Sequence, residues 1–260
     1  MANKKGEMRQ LVFLTTILVM PYQLAATAAE PVLSEDAARI LTRMTDFIGA
    51  TAAFTLASDT GHEVLQENGH VLEFGSQLTL AIQRPSRAIG RFESRKGDIS
   101  ITVLDGETLT VYVAIDDIYA YDATRQPGDI DASLDFLAKQ IGVPRQLRDF
   151  FSKDLTASLG SAVKSGYYVG ESMISGVLCD HLALRGEKED VQVWIARGDE
   201  PVPRRIVITY RQIEGQPQFW VEFTDWDFSP ELSDATFTFT PPGDAKRIRF
   251  FSDTPGKELE

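Results

Sequence analysis

The sequence predicts a mainly β protein with helices (α+β): one open antiparallel half-barrel of about eleven strands, covered by an N-terminal helix and a central helical insertion. Three observations predict it. Apolar residues recur at every second position in run after run, the spacing that places them on one face of a strand. Only two stretches, 34–49 and 129–164, change to helical spacing. The 260 residues are 43% hydrophobic and 25% charged, which are globular averages, and neither an internal repeat nor a linker rich in Gly, Ser or Pro interrupts them. A single domain over residues 29–251 follows, with residues 252–260 as a flexible polar tail.

The first thirty residues are read as an export signal. Lys4, Lys5 and Arg9 stand against Glu7 alone, residues 11–20 are an uncharged apolar run interrupted only by Thr15 and Thr16, and Ala26-Thr27-Ala28 offers small residues at the spacing a signal peptidase accepts. Ten residues span about 15 Å as a helix, roughly half a bilayer core, too short for a retained anchor. Cleavage after Ala28 takes away three basic residues and one acidic one, moving the net charge from −12 to −14. The lone cysteine, Cys179, is far from that point, so no lipid anchor is expected. A soluble, acidic, exported protein results, periplasmic in a Gram-negative source. Its charge argues against nucleic acid, which needs a basic footprint, and no integral membrane segment is expected after cleavage.

A helix opens at Ser34, an N-cap with Glu35 and Asp36 in the positive first turn. Ile40, Leu41, Met44, Phe47 and Ile48 form its apolar stripe, and Gly49 is a natural stop. Phe54 and Leu56 begin the period of two, and Asn68-Gly69 suits a type I′ hairpin turn. Leu78, Leu80 and Ile82 share a face before Arg84-Pro85. The meander continues through 88–94, 99–104, 108–113 and 118–122, separated by Lys96-Gly97-Asp98 and Asp105-Gly106. Ile130, Leu134, Leu137 and Ile141 then read as helical, Pro144 interrupts, and Leu147, Phe150, Phe151, Leu155 and Leu159 resume the helical spacing. Strand signals return at 167–171, 177–185, 191–195, 205–211, 219–228 and 236–240.

A long sheet with one apolar face must curl, pack on a second sheet, or take helices on that face. Two helical patches are few for so wide a sheet, so an apolar cavity between sheet and helices is expected. Its lining is expected to include Met44, Phe47, Leu78, Leu80, Ile82, Ile101, Val103, Val111, Val193, Ile208, Val221 and Phe223.

Val193-Trp194-Ile195, followed after a short loop by Pro201-Val202-Pro203-Arg204-Arg205-Ile206, resembles the LolA-like superfamily, the outer-membrane lipoprotein carrier fold. Leu104-Asp105-Gly106-Glu107-Thr108-Leu109, Gly176-Val177-Leu178-Cys179-Asp180-His181-Leu182, Thr224-Asp225-Trp226 and Phe237-Thr238-Phe239-Thr240-Pro241-Pro242-Gly243 support it. Together with the helix at 37–47, the pattern is most similar to the predicted periplasmic proteins of domain-of-unknown-function family 2092, over roughly residues 33–250. The resemblance implies an open β-barrel closed by helices around a hydrophobic cavity. It implies no assigned activity, and the insertion at 129–164 is larger than lipoprotein carriers have.

Candidates for chemistry are few. Cys179 and His181, one residue apart, face the same way on a strand, as a nucleophilic or metal-binding pair would. A zinc site would need two more ligands, and the remaining histidines, His62 and His70, lie near a distant hairpin. Asp116-Asp117 and Asp225/Asp227 are the best carboxylate clusters, with Asp225 and Asp227 expected on one face, as a glycosidase would need facing acids. Trp194, Trp220 and Trp226 could stack on sugars but more often pack a sheet. Arg84, Arg87, Arg91, Arg95 and Lys96 could meet an anionic head group, though a solvated strand is the commoner use of such a run. No catalytic residue, metal ligand or cofactor is assigned. The expected function is non-enzymatic binding of a lipid or acylated ligand, the alternative being a periplasmic sensor or adaptor with a protein partner.

Overall fold

A computed structural model describes residues 33–115, 118–141 and 163–249. Helix α1 (Glu35–Ala50) leads into six strands: β1 (Ala53–Leu65), β2 (Val71–Gln83), β3 (Arg87–Ser94), β4 (Ile99–Asp105), β5 (Thr108–Ile115) and β6 (Ile118–Arg125). Helix α2 (Ile130–Ile141) is followed by β7 (Val163–Ile174), β8 (Val177–Gly186), β9 (Glu189–Ala196), β10 (Pro203–Tyr210) and β11 (Gln218–Asp227). A 3-10 turn at Asp234–Phe237 and the short β12 (Lys246–Arg247) complete the chain of elements. The signal segment, Asp116-Asp117, the second half of the helical insertion and the polar tail lie outside the described residues.

All strands join one twelve-stranded sheet in the order β12-β6-β5-β4-β3-β2-β1-β11-β10-β9-β8-β7. Each half is a meander of neighbours in sequence, and β1 paired with β11 welds the halves together. Every pairing is antiparallel except β12 on β6. The sheet stays open, with β7 and β12 as its edges. The expected α+β architecture is therefore present, with twelve strands where about eleven were expected.

Three local expectations change. The predicted last strand, 236–240, does not form: the 3-10 turn takes Thr236 and Phe237 and irregular chain follows, because the Ser233–Thr236 capping box nucleates a turn and Phe237 buries its ring beneath the Arg87 guanidinium. The β1–β2 connection is not a two-residue turn. The Gly69 N–H donates to the Gln66 carbonyl and the Gln66 N–H to that of His70, giving a three-residue loop. Gly69 at φ 82° supplies the left-handed residue such a loop needs. Finally, β7 starts at Val163, four residues before the first expected strand position.

Helix α1 forms for the expected reasons. The Ser34 hydroxyl accepts the Ala37 N–H at 3.3 Å, and Glu35 and Asp36 sit in the first turn. The helix runs one residue past Gly49 and ends where the Thr51 hydroxyl donates to the Phe47 carbonyl. Its stripe of Ala37, Ile40, Leu41, Met44 and Ile48 is buried against the sheet, and Ile130 and Leu137 of α2 join the same core. The face of the sheet that carries both helices is called inner below.

Candidate functional site

Register assigns the inner face. Phe54, Leu56, Ser58 and Thr60 of β1 are buried and pair with Ile82, Leu80, Leu78 and Ser76 of β2. Pairing then carries the inner face to Ala88, Gly90 and Phe92 of β3, to Leu104, Thr102 and Ser100 of β4, and to Leu109, Val111 and Val113 of β5. In the other direction it runs through Phe223, Val221 and Phe219 of β11, Ile206 and Ile208 of β10, Val193 and Val191 of β9, and Leu182 and Leu184 of β8.

Leu78, Leu80, Ile82, Val111, Val193, Ile208, Val221 and Phe223 thus share one face, and Met44 and Phe47 of α1 pack onto the core it forms. Ile101 and Val103 do not. They pair with Arg91 and Ile89 on β3 and with Tyr112 and Thr110 on β5, on the outer face. Val103 is nonetheless buried, because the segment around the 3-10 turn covers that patch: the Phe239 ring lies 5.3 Å from Tyr112, next to Ile101. The outer face has its own small core, and the alternation of β4 belongs to it.

The inner face is unevenly covered. Under the C-terminal end of α1, Phe47 meets Phe228 edge-on at 5.0 Å, and Phe54, Phe223 and Trp226 complete a cluster with centroids 5.7 Å apart. Leu80, Phe92, Val113 and Phe219 touch the core yet stay half-buried. Phe92, Val113 and Phe219 escaped the sequence-based lining, although each alternates correctly within its strand. Among the described residues, two clefts lie beside α1. One, of about 240 Å³, is lined by Asp36, Arg39, Ile40, Arg43, Tyr168, Asp180, Arg197 and Gly198. The other, of about 250 Å³, lies between Gly49–Ala52, Arg84-Pro85 and Asp129–Asp131.

The chemical candidates dissolve into structural roles. Cys179 is fully buried and its thiol donates to the Val177 carbonyl. His181 stacks on Trp194 at 4.2 Å with its Nε2 3.1 Å from Gln192 Oε1. Burial pushes the Cys179 thiol up and the His181 ring down, so each is held neutral. An activated thiolate–imidazolium pair requires the reverse shifts. Asp225 sits in a β-bulge at φ 48°, so Asp225 and Asp227 do not line up on one face as expected. The Thr224 hydroxyl donates to Asp225 and the Ser229 N–H to Asp227. Trp226 is on the inner face, whereas Trp194 and Trp220 lie outside, Trp220 beneath the Arg205 guanidinium. Within the basic run, Arg87 pairs with Asp234, Arg91 with Glu93 and Arg95 with Asp59. Among the described residues no three His, Cys, Asp or Glu side chains gather closely enough to hold a metal ion.

His181 carries a pH signature. Desolvation lowers its folded-state pKa below the ordinary 6.5, partly offset by the Gln192 hydrogen bond. The unfolded chain therefore binds the proton more readily. Stability from this group is whole above 6.5 and drains away as pH falls through 6.5 toward the lower folded value. In urea titrations between about pH 5 and about pH 7.5, His181→Gln should show a shallower loss of stability on the acid side than the unsubstituted protein. An unchanged slope would refute the assignment.

Comparison with known proteins gives a family model described as "Predicted periplasmic protein (DUF2092)", which matches residues 37–251. Among curated proteins no significant match was found. Solved structures similar to the chain include the Mycobacterium tuberculosis lipoprotein LppX, with 13% identity, 77% of this chain and 100% of that chain covered, and a TM-score of 0.45. A LolA superfamily protein from Nitrosomonas europaea has 13% identity, coverage of 77% and 96%, and a TM-score of 0.39. MucB has 15% identity, coverage of 80% and 64%, and a TM-score of 0.47. MucB of Pseudomonas aeruginosa has also been solved in complex with MucA.

Proposed function

Because the chain belongs to the DUF2092 family of predicted periplasmic proteins, we propose that it is a non-enzymatic, soluble periplasmic protein whose inner face binds a hydrophobic or lipidic ligand. The observation that carries this reading is the set of half-buried apolar side chains Leu80, Phe92 and Val113 on neighbouring strands of the inner face, packed against the core but not sealed into it. Such a surface gains free energy from hydrocarbon without having to unfold anything first. An acyl chain of ~14 methylenes carries about 11 kcal/mol of gross transfer free energy at ~0.8 kcal/mol each, so most of it must be covered before the gain exceeds the cost of association. Among the described residues no helix is long and apolar enough to cross a membrane.

The test is Leu80→Asp. Leu80 is only half-buried, so the variant should keep its far-UV spectrum, while a carboxylate against hydrocarbon weakens binding of diphenylhexatriene at least ~10-fold. Binding at unsubstituted strength would remove the reading. Val103→Asp is not an equivalent test, since Val103 faces outward.

A second reading, an adaptor for a protein partner, is favoured by one feature. The β1–β2 hairpin tip exposes Val64, Val71, Leu72 and Phe74, each between 38% and 45% accessible. A stoichiometric protein recovered with the purified chain, free of extractable lipid, would favour this reading over the first.

A further inference from the structure

Resting on the ligand-binding reading above, we propose that Ser58 is the polar anchor of the inner face, donating its hydroxyl to a neutral carbonyl, an ester or amide, of an acylated ligand. Ser58 is 4% exposed, and its Oγ has no hydrogen-bond partner. It lies on the inner face of β1 between two buried hydrophobic neighbours, Leu78 on β2 and Phe223 on β11. Two positions along the strand, Leu56 is core, and Thr60 satisfies itself by pairing with the Ser76 hydroxyl at 2.7 Å. The hydroxyl of Ser58 is therefore the one in this row that the protein leaves open. The other two buried side-chain oxygens without a partner among the described residues, Gln83 Oε1 and Ser172 Oγ, belong to outer-face positions.

A buried hydroxyl left unpaired costs more than any same-sized apolar group in its place, so such a group calls for a partner that arrives from outside. The character of that partner follows from the surroundings. The inner-face positions across from Ser58 are Leu78, Phe92 and Ser100 in one direction and Phe223 in the other, none of them cationic. A carboxylate or phosphate placed there would be desolvated without a counter-charge. A neutral carbonyl accepts the serine proton at no such cost, and the half-buried Leu80, Phe92 and Val113 take the hydrocarbon attached to it.

The experiment compares two fluorescent probes on the full chain. Laurdan carries a ketone carbonyl between a naphthalene and an acyl chain; diphenylhexatriene is hydrocarbon throughout. Ser58→Ala should weaken laurdan about fivefold and shift its bound emission to the blue, since the carbonyl loses its donor, while diphenylhexatriene binds as before. Ser58→Cys, close in volume but a poorer donor, should fall between. Without probe, Ser58→Ala should be at least as stable as the unsubstituted protein in urea. Unchanged laurdan affinity and emission, or an equal loss for both probes, would overturn the anchor while leaving the ligand-binding reading intact. Failure of both probes to bind the unsubstituted chain would overturn the reading and the anchor together.

Discussion

Phe223→Ala should destabilise the protein by about 3–5 kcal/mol, read as a fall in the urea midpoint of more than ~1 M. Phe223 is 1% exposed and sits on β11, the strand that joins the two meanders through β1. Its ring is 5.7 Å from Trp226, in the aromatic cluster that Phe47 of α1 closes from above. Truncation removes the ring from the contact shared by helix, first strand and last long strand. Neighbours anchored in a twelve-stranded sheet have little freedom to collapse into the void, so the cavity penalty adds to the lost transfer free energy. Phe74→Ala is the control: its ring is 38% exposed near the hairpin tip, and its loss should cost well under ~1 kcal/mol. Equal costs at the two positions would mean that the joint between β1 and β11 is not the centre of the core.

Gly166→Val should cost about 3 kcal/mol by the opposite mechanism, overpacking. A β-carbon at Gly166 would lie 2.6 Å from Leu184 Cδ2, 2.9 Å from Leu33 Cδ1 and 3.0 Å from the Ala183 carbonyl oxygen. The last of these is backbone of the paired strand and cannot rotate away. The Gly166 carbonyl also accepts the Ser34 N–H at 2.9 Å, which ties the start of α1 to the edge strand β7. Valine therefore strains the strand pairing and lifts the helix start together. Besides the lowered stability, amide hydrogens of Ile40–Met44 should exchange faster than those of β1 and β11, because the helix loses its mooring before the sheet opens. Uniform exchange across helix and sheet would show that α1 is not held at this point.

Much of the fold was legible because local chemistry and tertiary context agree there. Ser34, Glu35 and the Ile40–Met44–Ile48 stripe specify a capped amphipathic helix whatever it packs on. In β1, β2, β8 and β11 the apolar face of the alternation is also the helix-covered face, so Leu78, Leu182 and Val221 lie in the core. In β4 the two disagree. Ile99, Ile101 and Val103 form the more apolar set, yet register with β3 gives the inner face to Leu104, Thr102 and Ser100. The Phe237 segment, over 130 residues away, then supplies the cover that the outer set needs. The 236–240 stretch misled for the related reason that alternating Phe and Thr fit a strand, while Ser233 and Thr236 close a turn around Asp234 first. Ser58 was invisible as a candidate, since a serine at strand spacing reads as solvent-facing until its partners across β2 and β11 are known.

From its amino-acid order alone the N-terminal helix, the succession of strands from β1 to β11 around a helical insertion, and a single greasy side to most strands were determined, because capping, turn chemistry and a period of two act within a few residues. Which side is inside was decided only in three dimensions. A period of two is identical for either face, and the choice rests on pairing partners brought together from opposite ends of the chain. The open hydroxyl of Ser58 and the outward turn of Val103 are both products of that choice.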